Sequence, residues 1–143
     1  MKFIFECWKN TKVMPWLLGV ACRGGMVAAP LLLVFVLVPI LDWDVNGRPM
    51  SYSELWASGF GFVIALSLVL SGAGFWGVAA RKSHARWLLV LTPISPLVEG
   101  SFISSEFLPY VGQALLTAVI IYVGLFYLPS VKKYFDKPGA THI

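Results

Sequence analysis

Charged side chains are scarce in this 143-residue sequence: they make up 13% of it, against roughly a quarter of an average soluble domain. A soluble fold of this size needs a charged surface, and the chain has too few charges to cover one. Hydrophobic residues make up 58% of the chain, so much of its surface must face an apolar medium such as lipid. The composition predicts an all-α, polytopic integral membrane protein forming a single domain over 1–143.

Residues that bind metals or catalyse hydrolysis are also few. The only histidines are His84 and His142, the only cysteines are Cys7 and Cys22, and no C-x-x-C, H-E-x-x-H or G-x-S-x-G arrangement occurs. We therefore predict no catalytic residues, no metal site and no cofactor, and hence no enzyme. Both cysteines fall on the predicted cytoplasmic side, where a disulfide is not expected.

Long apolar segments are the main feature that is present. The predicted spans are 19–41, 55–80, 87–105 and 108–128. A helix needs roughly 20 residues to cross a bilayer. The second span exceeds that length and is expected to tilt or protrude, and the apolar part of the third is too short to cross as a straight helix. Residues 1–13 predict an amphipathic helix lying in the interface, and residues 129–143 predict a short basic tail. The pattern predicts a four-transmembrane-helix bundle.

Lysine and arginine are segregated to one predicted side of the membrane. Arg48 alone falls on the opposite side. The acidic residues predicted on the opposite side are Asp42, Asp44, Glu54, Glu99 and Glu106. Because cytoplasmic loops are enriched in basic residues, we expect both termini in the cytoplasm and the chain in a bacterial inner membrane. The net charge of +4 then faces anionic lipid, and nucleic acid is not an expected partner.

Small residues recur along the first two predicted spans. They are Gly25, Ala29, Gly61, Ala65 and Gly72. Helices in lipid associate through close backbone approach at such positions, which favours packing within the bundle over a contact with another membrane protein. Gly72 also begins a G-x-G-x-x-G sequence, but a dinucleotide site needs a strand before it. Here the motif lies inside a predicted span.

The predicted third span contains the most unusual ionisable residue, Glu99, which follows Pro93 and Pro96. An acid held within a membrane usually serves as a proton or cation ligand or pairs with a base. The alternative is a solvated carboxylate at the outer interface. The two prolines either break the helix and free carbonyls for a ligand or form simple kinks.

The predicted outer loop contains Asp42, Trp43 and Asp44, with Glu54 further along. Its carboxylates could bind a divalent cation, although their spacing is not that of a calcium loop. A solvated loop is the simpler interpretation. With its aromatic residues the loop is also a candidate protein-contact surface.

Two of three classes of function considered are compatible with these patterns. The first is a non-enzymatic protein that binds another membrane protein, such as a toxin or a complex subunit. A few helices, short loops and no catalytic motif are the general form of immunity proteins that neutralise pore-forming bacterial toxins, and the likeness is one of size and layout. The second is a small transporter or channel subunit, with Glu99 lining the path and homo-oligomerisation allowed. A membrane enzyme acting on lipid or quinone lacks the necessary charged groups.

Overall fold

The computed structural model describes residues 2–39, 43–45, 48–93 and 107–136, and this part of the chain is mostly helical. The helices are α1 (Lys2–Asn10), α2 (Trp16–Leu37), α3 (Tyr52–Ala57), α4 (Phe60–Ala79), α5 (Ala85–Leu91), α6 (Phe107–Phe126) and α7 (Pro129–Phe135). The strands β1 (Trp43–Val45) and β2 (Arg48–Met50) form an antiparallel pair between α2 and α3.

Helices α2 and α4 are each long and apolar enough to cross a membrane. A third candidate span arises if α6, from Val111 onward, and α7 are counted as one helix broken by a bend of 61°. The described residues therefore contain two or three candidate spans, which supports a membrane protein. Most of the predicted third span, 87–105, lies outside them, so the count of four spans stays a prediction.

Helices α2 and α4 pack closely through small residues. Gly25 lies directly against the ring of Phe75, which a Cβ atom at this glycine would overlap. Ala29 is buried, and a Cβ added at Gly72 would lie 3.3 Å from its Cβ. The helix backbones thus approach where the residues are smallest, as expected for packing without a hydrophobic driving force.

The predicted span 55–80 is divided into two helices. A capping box begins α3: the Ser51 hydroxyl accepts a bond from the Glu54 N–H, and the Glu54 carboxylate accepts one from the Ser51 N–H at 2.9 Å. The chain then turns at Gly59, whose φ of +82° lies in the left-handed region that glycine adopts without strain. The long helix therefore begins at Phe60, five residues later than predicted.

Two of the predicted packing residues lie in the first part of α4. A Cβ at Gly61 would lie 3.1 Å from the Trp56 ring and 3.2 Å from the Leu55 carbonyl oxygen. This glycine therefore allows α3 to pack closely on α4, whereas it was predicted to lie between two membrane-spanning helices. Ala65 is half-buried on the same helix.

The other end of α4 closes with a Schellman motif. The Lys82 N–H donates to the Gly77 carbonyl at 2.9 Å, and the Arg81 N–H donates to the Val78 carbonyl at 3.0 Å. Arg81 adopts a left-handed φ of +60°, a conformation that costs a residue with a Cβ about 1–2 kcal/mol. The motif reverses the chain, so that α5 returns along α4 with Ala85 against Gly77.

The N-terminal helix is shorter than the predicted 1–13, and part of its apolar side is buried in the protein. Cys7 lies on α1, and Thr11 begins the turn that follows it. Each is 1% exposed, because this side of the helix packs on the end of α4. Ile4 and Trp8 remain exposed and are available to a membrane interface. The predicted apolar face is thus shared between the protein interior and the surroundings.

The predicted tail begins with a packed helix, α7, which the sequence analysis did not anticipate. Pro129 occupies its first turn, where a missing N–H costs nothing. With α1 and the adjoining ends of α2, α4, α5 and α6 it forms the main buried cluster, here called the terminal core. Its buried residues are Cys7, Met14, Cys22, Met26, Val78, Ala79, Ala85, Leu89, Leu125, Val131, Tyr134 and Phe135.

Candidate functional site

The residues singled out from the sequence are not gathered into one site. Glu99, Pro96 and Asp42 lie outside the described residues, so the ion-path hypothesis stays a prediction. Pro93 is buried in the turn that follows α5, whereas Trp43 and Asp44 lie on β1, in a different segment. Among the residues that the structure describes, no three His, Cys, Asp or Glu side chains come together as a metal site.

The predicted outer loop contains a β-hairpin. Trp43 pairs with Met50 and Asp44 with Pro49, and the sequence between the strands is Asn46-Gly47. Asn-Gly between two short strands is the strongest local hairpin pattern, although the segment was predicted from the sequence only as a loop. Asp44 is exposed and Trp43 is half-buried.

A hydrogen bond ties the next helix to the end of α2. The Tyr52 hydroxyl, in the first turn of α3, donates to the Leu37 carbonyl at 2.7 Å. Leu37 is the last residue of α2, where carbonyls have no partner within the helix. The end of α2 and the beginning of α3, which flank the hairpin in the sequence, are therefore in contact.

The last carbonyls of α4 are bound by side chains from both terminal helices. The Asn10 amide donates to the Ala79 carbonyl at 3.0 Å. The Tyr134 hydroxyl lies 3.2 Å from the same oxygen and 3.3 Å from the Val78 oxygen. The bonds to Ala79 satisfy an acceptor that a helix C-terminus leaves unpaired, whereas the Val78 oxygen also accepts from the Arg81 N–H. The side-chain bonds also hold α1 and α7 at the same end of α4, a long-range arrangement without a sequence motif.

Arg86 connects α5 to the break between α6 and α7. Its guanidinium lies 4.5 Å from the ring centroids of both Phe126 and Phe135. Its Nη1 donates to the Leu125 carbonyl at 3.4 Å. The residue four positions after Leu125 is Pro129, which has no N–H to donate. Arg86 thus replaces the missing donor at the bend.

Arg81 makes a related contact from the same turn, with its guanidinium 4.9 Å from the centroid of the Tyr134 ring. From the sequence, Arg81 and Arg86 indicated only the orientation of the chain in the membrane. In the structure both hold α7 in place by cation–π contacts.

Both cysteines lie in the terminal core, with 1% of Cys7 and none of Cys22 exposed. Burial, reinforced by the charge of Glu6, raises the pKa of Cys7. Since the thiolate is the reactive form, we expect both thiols to resist a maleimide in mild detergent and to react after denaturation. Intact-mass measurement checks this, with the exposed Ser83→Cys as a control that should react at once. Rapid labelling of Cys7 in the folded protein would contradict this burial.

One side of α6 has no neighbour among the residues that the structure describes. We call it the α6 outer face; its residues are Gly112, Leu115, Leu116, Val119 and Val123. They share one side of a helix with 3.6 residues per turn, and the four apolar side chains are 46–63% exposed. A Cβ atom added at Gly112 would meet nothing within 4 Å. The opposite side carries the buried Ala114 and Leu125.

An apolar groove of about 730 Å³ lies between the beginning of α2 and helices α4 to α7. Its walls include Trp16, Leu17, Ile120, Gly124 and Leu128, with Thr92 and Ser130 as the polar members. A cavity of this size and lining is suited to an apolar ligand. No sequence pattern predicts the groove, because it is formed by residues from five different helices and their ends.

Comparisons with known proteins give no family for this chain. No protein-family model matches it, and neither the curated proteins nor the solved structures contain a similar protein.

Proposed function

We propose that this chain is a non-enzymatic membrane protein that binds another membrane protein within the bilayer, through the α6 outer face. The observation that carries the proposal is the open space around Gly112, at the N-terminal end of that face. Glycine inside a helix is destabilising by roughly 0.5–1 kcal/mol relative to alanine. A close approach of another helix would offset that cost.

The comparison with the paired helices supports this assignment. Gly25 and Gly72 each lie against a side chain of the neighbouring helix, so internal packing accounts for them. Gly112 has no such neighbour. Lipid tails gain nothing from a glycine, whereas a partner helix could pack its backbone against this position.

We further propose four spans in a bacterial inner membrane, with both termini in the cytoplasm. The segregated basic residues support this orientation. So does the contact of α1 and α7 with the same end of α4. A reporter fused after Lys137 should be active only in the cytoplasm. Activity of that fusion in the periplasm would contradict the even number of spans.

The partner class that we propose is a membrane-active, pore-forming bacterial toxin, for which this chain would be the immunity protein. The proposal predicts that a toxin gene lies beside the gene for this chain. Co-expression should then restore the growth of cells that produce the toxin.

The α6 outer face is tested with two matched glycines. Gly112→Leu should abolish protection, because the new side chain would keep a partner helix away. Gly24→Leu, on α2, makes the same change at another position with nothing within 4 Å, and should protect fully. A photo-crosslinker at Val119 should join the chain to the toxin. Failure of the unchanged protein to protect, or full protection by Gly112→Leu, would overturn the proposal.

A further inference from the structure

The apolar groove is a second unpartnered feature, distinct from the α6 outer face. It runs along α6 from Ile120 to Leu125, about 7.5 Å at 1.5 Å per residue, and continues past the end of the helix to Leu128 and Ser130. One end is formed by Pro15 and Trp16, where α2 begins, and by Ser130, where α7 begins. The groove therefore has the depth and the apolar walls to hold a hydrocarbon chain.

The charges around that end are mostly positive. Lys132 and Lys133 follow directly after the lining residue Val131, and Lys12 precedes Pro15 by three residues. The Lys132 ammonium lies 5.7 Å from the centroid of the Tyr127 ring, beside the lining residue Leu128. These side chains would favour an anionic headgroup at the end of an apolar chain.

The beginning of α2 adds donors at the same place. Pro15 is its N-cap and provides no side-chain acceptor for the first N–H groups of the helix. Such groups favour an anion. The partial positive charge of these N–H groups has the same sign as the charge of the lysines. The groove and the lysines are the main evidence for an anionic ligand.

We propose that the groove binds one anionic phospholipid, with an acyl chain along α6 and its phosphate beside Lys132 and the beginning of α2. The apolar walls bind the chain. The basic end selects the headgroup, so that a zwitterionic lipid binds more weakly.

Gly124 offers a direct test, because it lines the groove and a Cβ atom added there meets nothing within 4 Å. Gly124→Leu should therefore fill the groove without a clash. The matched control is Gly112→Leu, the same change on the same helix outside the groove. Native mass spectrometry of the purified chain, mixed with phosphatidylglycerol or phosphatidylcholine, would measure the bound lipid.

The unchanged protein should retain phosphatidylglycerol in preference to phosphatidylcholine. Gly124→Leu should lower the affinity for phosphatidylglycerol by roughly tenfold, whereas Gly112→Leu should not. Lys132→Gln should reduce the preference for the anionic lipid. Equal binding of the two lipids by the unchanged protein, or unaltered binding by Gly124→Leu, would overturn the proposal. A dimer that Gly124→Leu dissociates would make a second copy the occupant and would overturn it too.

A second measurement needs only a conservative substitution in the groove. Trp16 lines the groove, so brominated phosphatidylglycerol in vesicles should quench its fluorescence more than brominated phosphatidylcholine. The contribution of Trp16 is the difference between the unchanged protein and Trp16→Phe. Equal quenching by both lipids would contradict an anionic lipid at this position.

Discussion

Replacing Gly25 with leucine should produce the largest loss of stability expected from a single substitution between α2 and α4. A Cβ atom at this position overlaps the ring of Phe75, and Phe75 is packed against the terminal core. Overpacking of this kind costs roughly 1–3 kcal/mol and occasionally more. Denaturation by SDS in mixed micelles, followed by circular dichroism, would measure the change in unfolding free energy.

The adjacent residue supplies the control. Gly24 belongs to the same turn of α2, but a Cβ atom there meets nothing within 4 Å. Gly24→Leu should leave stability unchanged or raise it slightly, because leucine is a better helix former than glycine. Phe75→Ala should relieve part of the cost of Gly25→Leu in a double-mutant cycle. Equal stability of Gly24→Leu and Gly25→Leu would show that this contact does not hold the two helices together.

Replacing Arg86 with alanine should release the bend between α6 and α7. The substitution removes the donor to the Leu125 carbonyl and both ring contacts, to Phe126 and Phe135. A hydrogen bond from a charged group contributes roughly 1.5–3 kcal/mol, and each exposed cation–π contact roughly 0.5–1 kcal/mol. We expect a loss of about 2 kcal/mol in unfolding free energy, since the guanidinium is only partly buried.

The shape of the side chain matters as well as its charge. Arg86→Lys keeps the positive charge but loses the planar group that lies between two rings. It should recover less than half of the stability lost in Arg86→Ala, with faster hydrogen exchange in α7 as the local readout. Lys82→Ala, in the same exposed turn, is the control and should have little effect. Full recovery by lysine would mean that charge alone holds the bend.

The alternative of a transporter or channel subunit rests on Glu99, which lies outside the described residues. No described residue adds to it, whereas the α6 outer face offers a contact surface among residues that the structure does describe. Binding another membrane protein is therefore the function that we propose.

Several features of the chain follow from the sequence by itself. The low charge and long apolar segments required helices in a membrane, because only lipid can cover so much apolar surface without charge. The structure agrees at α2 and α4. The sequence also contains the glycine of the turn at Gly59 and the cap of α3 at Ser51, although neither was used to divide the predicted span 55–80.

Other features were decided only by the tertiary structure. Which glycines are enclosed and which are open could not be inferred from spacing, because Gly24 and Gly25 are neighbours in sequence and differ only in what another helix places beside them. The role of Arg86 depends on a carbonyl freed by Pro129, some forty residues away. Composition and periodicity act over one or two turns and therefore determine helices and their apolar character. Contacts between helices determine the terminal core, the groove and the exposed side of α6, because each is formed by segments that meet only in the folded chain.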